Sequence, residues 1–340
     1  MVDRVIQQSI SQILSPIYER QFSDNSFGFR PHRSCHKALR RAQDYITDGY
    51  KYCASLDLER FFDTVNHSKL IEVLSRTIRD RRVIALIHKY LTAGVMVRQN
   101  YEESTEGVPQ GGPLGPLLAN IMLNELDKEL IRRGHKFIRY ADDCMILCRS
   151  KRAAERVRDS ITIFIESKLH LKVNRDKTEV DYVSRLKYLG YSFYVMNGKC
   201  RLRLHAKTVA KMKAKFKELT SRSNGWGYAK LKFKLNQFVH GWMNYFKLAD
   251  MHNLLIETDK WLRHRLRSYI WKCWKKVSTK FKNLMKCGID KWRAWPWANT
   301  RGGYWNTAES PILQSAISNE ILKRQGYPCL VDLYVKLHQN

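Results

Sequence analysis

Apolar residues recur at helical spacing near the start of the chain, at Val5, Ile6, Ile10, Ile13 and Leu14. The spacing predicts a helix over residues 3–15, stopped by Pro16. A second helix is expected from Ser34 to Ile46, with Ser34 as its N-cap. Tyr52 to Leu58 has the apolar character of a buried strand and carries one carboxylate, Asp57, at its end. Helical patterns follow at about 67–77 and 80–92, then a short hairpin over Val95 to Gln99 and Tyr101 to Thr105. Gly107 to Pro116 is a stiff, turn-rich loop, with an apolar helix from Leu117 to Leu130 behind it. Lys136 to Tyr140 and Cys144 to Cys148 are two short strand-like runs joined by Ala141-Asp142-Asp143.

Past residue 200 the pattern changes. Lys207, Lys211 and Lys215 fall at i, i+4 and i+8, on one side of a helix, and Lys213 and Lys217 broaden that stripe. Farther on, Trp261, Leu262, Leu266, Tyr269 and Ile270 keep helical spacing, with Arg263, Arg265 and Arg267 interleaved. Trp271-Lys272-Cys273-Trp274-Lys275-Lys276 follows. These stretches predict helices with one buried face and one basic face.

Composition sharpens that break. The chain has 340 residues, 44% of them hydrophobic, which excludes an extended disordered chain and suggests two domains with a small third unit. Its formal net charge is +29, which points to a polyanionic partner. Residues 1–200 hold 33 basic and 24 acidic residues, whereas residues 201–290 hold 22 and 5. All nine tryptophans lie at or after Trp226. Both shifts set a boundary near residues 197–205, where Asn197-Gly198 is a turn signal.

A single lysine stripe is most simply a solvated face. So large an excess in ninety residues favours phosphate binding, with Lys207, Lys211, Lys215, Arg263, Arg267 and Lys275 as candidate contacts. A basic membrane-surface helix is the weaker alternative, because its tryptophans and leucines would have to leave the core. The loop Phe27 to Ser34 adds Arg30 and Arg33, which can lie against phosphate or simply be exposed. No apolar run is long enough to span a membrane, and the first ten residues do not read as a signal peptide. The eight cysteines form no C-x-x-C pair, so no zinc site is expected, and buried reduced thiols point to an intracellular, reducing compartment.

The carboxylates carry the chemistry. Asp142 and Asp143 are expected at the tip of a hairpin with buried arms, and each raises the other's pKa unless a cation is present. An exposed Asp-Asp turn is the bland alternative. Asp57, ending another buried strand, makes a third carboxylate, and the three together suit Mg²⁺. Two such ions can stabilise the attacking and leaving oxygens of a phosphoryl transfer.

Several ordered blocks now resemble one family. They include Asp3-Arg4-Val5-Ile6-Gln7-Gln8, Gly28-Phe29-Arg30-Pro31, Asp57 to Asp63, Pro109-Gln110-Gly111, Tyr140-Ala141-Asp142-Asp143, Asn174 to Thr178 and Tyr188-Leu189-Gly190. Gly241 to Phe246 and Gly302-Gly303-Tyr304-Trp305 follow in the same order. Over nearly its whole length the chain is similar to the group II intron reverse transcriptase/maturase family. The resemblance implies an α+β right-hand polymerase: an antiparallel palm sheet with helices and partial fingers, followed by a helical basic thumb/maturase domain. It implies partial fingers over 1–50, palm over 51–198, RNA-binding thumb/maturase helices over 199–290 and an extension of the maturase region over 291–340.

By position, Asp57, Asp142 and Asp143 look like the catalytic carboxylates, holding two Mg²⁺ together with the Leu58 carbonyl. Phe62 looks like the bulky side chain that crowds a ribose 2′-OH, and Arg60 like a nucleotide contact. Gln110 and Gly111 look like the loop under the template–nucleotide pair, Lys177 like the lysine at the triphosphate, and Tyr188, Leu189 and Gly190 like the primer grip. The implied partners are group II intron RNA, a DNA primer or target and deoxynucleoside triphosphates, with no membrane and no zinc. The implied activity is RNA-directed DNA synthesis with splicing assistance; the alternative is an RNA-binding splicing cofactor, or a truncated remnant, without polymerase activity. The family's fingers begin upstream of Met1, and no C-terminal His/Cys nuclease module is expected.

Overall fold

The computed structural model describes residues 2–97, 100–102, 105–109 and 111–339. The chain divides into two units, one up to Arg201 and one from Leu202 onward. The first begins with helices α1 (Val2–Glu19) and α2 (Cys35–Thr47). Pro16 does not stop α1 as expected but lies inside it. Proline removes one amide donor, yet Leu14 and Tyr18 are buried on either side of it, and that packing carries the helix through the gap. Ser34 caps α2, its hydroxyl accepting from the Lys37 amide at 3.2 Å.

Next come β1 (Tyr52–Leu56), the single turn α3 (Phe61–Thr64), α4 (His67–Ser75) and α5 (Arg81–Thr92). Strands β2 (Val95–Val97) and β3 (Asn100–Glu102) pair with each other as a small antiparallel sheet. They precede α6 (Gly115–Arg132), β4 (Lys136–Tyr140), β5 (Asp143–Cys148), α7 (Lys151–Lys168), β6 (Glu179–Tyr182) and β7 (Tyr191–Met196). β8 (Lys199–Leu204) pairs with β7 and carries the chain out of the first unit.

The main sheet has the order β4-β5-β1-β6, with every pairing antiparallel. Helix α7 packs on β1 and β5, while α2 and α6 pack on β4. Cover on both faces explains why the central strands read as continuous apolar runs rather than alternating ones. Leu56, Phe137, Ile146, Leu118, Leu126 and Ile165 join one buried core beneath the sheet's functional end.

The second unit is helical: α8 (Ala206–Leu219), α9 (Tyr228–Phe246), α10 (His252–Cys273), α11 (Val277–Lys286), α12 (Lys291–Ala298), α13 (Tyr304–Glu309), α14 (Pro311–Ala316), α15 (Asn319–Arg324) and α16 (Leu330–Gln339). Its core uses the periodic positions of α8 to α10, with Met212, Phe216, Leu235, Val239, Leu262, Leu266 and Tyr269 buried. Among the described residues no helix is long and apolar enough to cross a membrane.

Candidate active site

The register of β4 and β5 pairs Tyr140 with Asp143, so only Ala141 and Asp142 form the connecting turn. Such a tight reversal needs a left-handed residue, and Ala141 supplies it with φ 56°. On the other side of β5, Cys144 pairs with Leu56, the residue before Asp57. Asp57, the next residue, lies near enough for its charge to act on the Asp143 carboxyl. Asp57 thus comes from one strand end and the Asp142-Asp143 pair from the adjacent turn.

The turn is held from beneath. Arg139 on β4 is 1% exposed and makes a two-pronged ion pair with Asp127 of α6, itself 0% exposed, at 2.8 and 2.6 Å. The same guanidinium donates to Asn120 Oδ1 and to the Ala141 carbonyl, both at 2.9 Å. Asn120 in turn donates to the Gly28 carbonyl at 2.9 Å. Gly28 lies so close that a Cβ there would overlap the Ala141 amide nitrogen. The stretch before it is tied to β4 by Phe27 N–H to Arg139 O at 2.8 Å and Arg139 N–H to Asn25 O at 2.9 Å. Gly28-Phe29-Arg30-Pro31 therefore presses its glycine against the carboxylate turn.

This network escaped the sequence reading, although a signal for it exists. Asn120, Asn124 and Asp127 fall at i, i+4 and i+7 among the apolar residues of the buried side of α6, one polar line on a buried face. Arg139 likewise breaks a buried strand. Buried polar groups are paired, so the two interruptions imply each other.

Protein atoms crowding the Asp143 carboxyl, then the charges of Asp142 and Asp57, push its pKa from 3.8 up to about 6, with Lys187 pulling the other way. Asp143 keeps an exposed face, so solvent weakens the crowding contribution; the repulsion is the part a cation would relieve. Lys177 sets its ammonium 3.5 Å from Asp57 Oδ2 while remaining exposed. Asp57 is further located by its amide, which donates to Thr178 Oγ1 at 3.3 Å, and its carbonyl, which accepts from Asn174 N–H at 2.9 Å.

Among the described residues no group of three or more His, Cys, Asp or Glu side chains is drawn together closely enough to hold a metal as it stands. The donor chemistry nonetheless fits a hard divalent cation: the ligating groups are oxygen only, and the carboxylates repel one another without a counter-charge.

Phe62 of α3 lines a cavity of about 580 Å³ with Arg4, Gln8, Pro109, Gly111 and Gly112. The loop reaches Phe62 because the Gly107 amide donates to Val65 O at 2.8 Å and the Val108 amide to Phe62 O at 2.6 Å. Gly107 has φ 94°, and a Cβ there would press on the Phe62 and Asp63 carbonyl oxygens. Arg60 is exposed and left-handed, with φ 45°, at the start of α3. Gln110 lies outside the described residues. Tyr188 is buried, and the turn Leu189-Gly190 is closed by paired backbone bonds between Tyr188 and Tyr191 at 3.0 and 2.9 Å.

Of the proposed RNA contacts, Lys207 and Lys211 are exposed on α8, Lys215 pairs with Glu218 at 2.6 Å, and Lys275 is exposed after α10. Arg33 is half-buried and pairs with Asp24 at 2.6 Å. Three expectations are corrected. Arg30 is buried, pairs with Glu19 at 2.7 Å and donates to the Ser26 carbonyl at 2.8 Å. Arg263 is buried and donates to Pro328 O at 3.0 Å. Arg267 is buried and donates to Ile317 O and Asn319 Oδ1, both at 2.8 Å. These guanidinium groups satisfy the chain's own oxygens at helix ends and loops, where no intrahelical donor reaches.

Residues 1–193 match the family described as reverse transcriptase (RNA-dependent DNA polymerase), and residues 209–288 match the group II intron, maturase-specific domain. Protein YkfC of Escherichia coli is 33% identical over 220 residues, covering 54% of this chain and 58% of that protein. The group II intron-encoded protein LtrA of Lactococcus lactis subsp. cremoris is 28% identical over 302 residues, 70% of this chain and 49% of LtrA. The chain thus spans about half the length of these curated relatives.

Proposed function

Because the chain belongs to the group II intron reverse transcriptase/maturase family, we propose that it copies RNA into DNA at the carboxylate cluster and binds intron RNA through its helical unit to assist splicing. In this reading residues 1–50 are partial fingers, 51–198 the palm, 199–290 the thumb/maturase helices and 291–340 their extension. The observation that carries it is the Asp142-Asp143 turn, locked from beneath and electrostatically coupled to Asp57.

The reaction is attack of a primer 3′-OH on the α-phosphorus of a deoxynucleoside triphosphate. Asp57, Asp142, Asp143 and the Leu58 carbonyl would hold two Mg²⁺, which supply, when bound, charge stabilisation at the attacking and leaving oxygens. The rigid turn pre-aligns its carboxylates, so little reorganisation is needed when the substrates arrive. The Phe62 ring occupies the space a ribose 2′-OH would need. Arg60 orients the triphosphate, and Gln110 with Gly111 supports the template–nucleotide pair. The Lys177 ammonium, within 3.5 Å of Asp57 and open to solvent, can hold a proton for the departing pyrophosphate. Tyr188, Leu189 and Gly190 steady the primer end. Lys207, Lys211, Lys215, Lys275 and Arg33 contact RNA phosphates, and their binding weakens as salt rises.

Primer extension on an RNA template tests the site. The wild type should extend, and the protein carrying Asp142→Ala with Asp143→Ala should not. Equal extension by both would overturn the assignment. A second reading, a splicing cofactor without polymerase activity, follows from the separate unit that holds the α8 lysines. It predicts splicing assistance that survives the double substitution and no extension by the wild type.

A further inference from the structure

Helix α12 is built inside out. Its small residues Ala294 and Ala298 are buried, whereas Trp292 and Trp295 are 69% and 58% exposed. Burying large aromatic area is the strongest apolar contribution such a short helix has to offer, and here it faces away from the core. At i and i+3 the two rings share one side of the helix. Arg293 sets its guanidinium 4.5 Å from the Trp292 ring centroid, covering one face of the indole. The Phe281 ring of α11 meets Trp295 edge-on at 5.6 Å and 81°, which props the second indole upright.

The surroundings are cationic. Residues 275–293 hold seven basic side chains (Lys275, Lys276, Lys280, Lys282, Lys286, Lys291 and Arg293) against one acidic residue, Asp290. Lys282, Lys286 and Lys291 are exposed on or beside α11 and α12. Exposed ring faces among cations are the chemistry that recognises unpaired nucleotides: bases stack on the rings and phosphates pair with the lysines. A duplex would not satisfy the rings, since its bases are already stacked inside. A second copy of this chain would bring like charge against like charge.

We propose that α11 and α12 form a stacking surface for unpaired RNA, with Trp292 and Trp295 as platforms and Lys282, Lys286 and Lys291 as phosphate partners. The proposal rests on the RNA-binding reading of the helical unit and adds to it a binding mode, with α12 lying beyond the matched maturase segment, which ends at residue 288.

The test uses the full chain and fluorescence anisotropy with a labelled single-stranded oligouridylate, the matching oligodeoxythymidylate and an RNA duplex of equal length. Trp292→Ala with Trp295→Ala should weaken oligouridylate binding about tenfold or more at fixed salt, and leave the salt slope and duplex binding unchanged. Lys282→Ala with Lys286→Ala should instead flatten the salt slope. Trp292→Phe with Trp295→Phe should restore most of the lost binding. The surface would be refuted by wild-type affinity in the tryptophan variant, or by equal losses for single strand and duplex. Preference for the DNA strand would refute the RNA assignment. Self-association abolished by the tryptophan changes, with RNA binding intact, would refute it in favour of a contact between copies. If the wild type binds no RNA at all, the reading of the whole helical unit fails, an outcome distinct from failure of the two tryptophans alone.

Discussion

Breaking the buried Asp127–Arg139 pair should be among the most damaging single changes in the first unit. Asp127→Ala removes two hydrogen bonds, at 2.8 and 2.6 Å, and the entire counter-charge of a guanidinium that is almost sealed from water. Removing one member of such a pair costs about 3–5 kcal/mol, because the remaining charge cannot be solvated. Arg139→Met strands the Asp127 carboxylate and also Asn120 Oδ1 and the Ala141 carbonyl. At about 1 kcal/mol for each neutral acceptor, its cost is about 5–7 kcal/mol. Domains are stable by about 5–15 kcal/mol, so either change takes a large share. Asp127→Leu with Arg139→Met removes both charges and should cost about 2 kcal/mol or less relative to wild type. Glu72→Ala, at the surface pairs with Lys69 and Arg76, should leave stability nearly unchanged, because solvent screens those charges. Urea denaturation of each protein, followed by circular dichroism, measures the cycle. Single substitutions costing under about 1 kcal/mol, or a double variant equal to the sum of its parts, would refute the reasoning. The repaired double variant should still lose primer extension, since the Arg139 donor to the Ala141 carbonyl is gone.

Gly28→Ala should lower the melting temperature and extension together, because the new methyl overlaps the Ala141 amide; an unchanged melt with full extension would contradict the close packing. Phe62→Ala should raise incorporation of ribonucleotides relative to deoxynucleotides by about ten- to a hundredfold, read from single-nucleotide extension kinetics. Asp143 has a folded pKa of about 6 against 3.8 unperturbed, so without divalent cations stability should fall as pH rises from about 4 to above 6. Asp143→Asn should remove that slope and raise the melting temperature at pH 7.5 but not at pH 4. Added Mg²⁺ should flatten the wild-type slope by favouring the ionised carboxylate.

Local features were legible in the chain alone. The Ser34 cap, the α6 run, the paired strands around Asp142-Asp143 and the basic face of α8 each rest on spacing within a few residues. Asp57 and the Asp-Asp turn could be named as one cluster because each ends an apolar strand. Pro16 shows the limit: its local chemistry says stop, and the burial of Leu14 and Tyr18 overrules it.

Partnership was decided only in three dimensions. Arg30, Arg263 and Arg267 have the same local pattern as an arginine facing phosphate, yet packing turns them inward to a carboxylate and to backbone oxygens. Arg139 finds Asp127 across the interface of a strand and a helix, and Gly28 meets Ala141 from more than a hundred residues away. On α12, Ala294 and Ala298 are buried and Trp297 half-buried while Trp292 and Trp295 face outward, an arrangement no hydrophobicity count would choose. Periodicity tells which side of an element is apolar. What opposes that side is set by long-range packing, and a polar group's role depends on whether burial gives it a partner or leaves it to water.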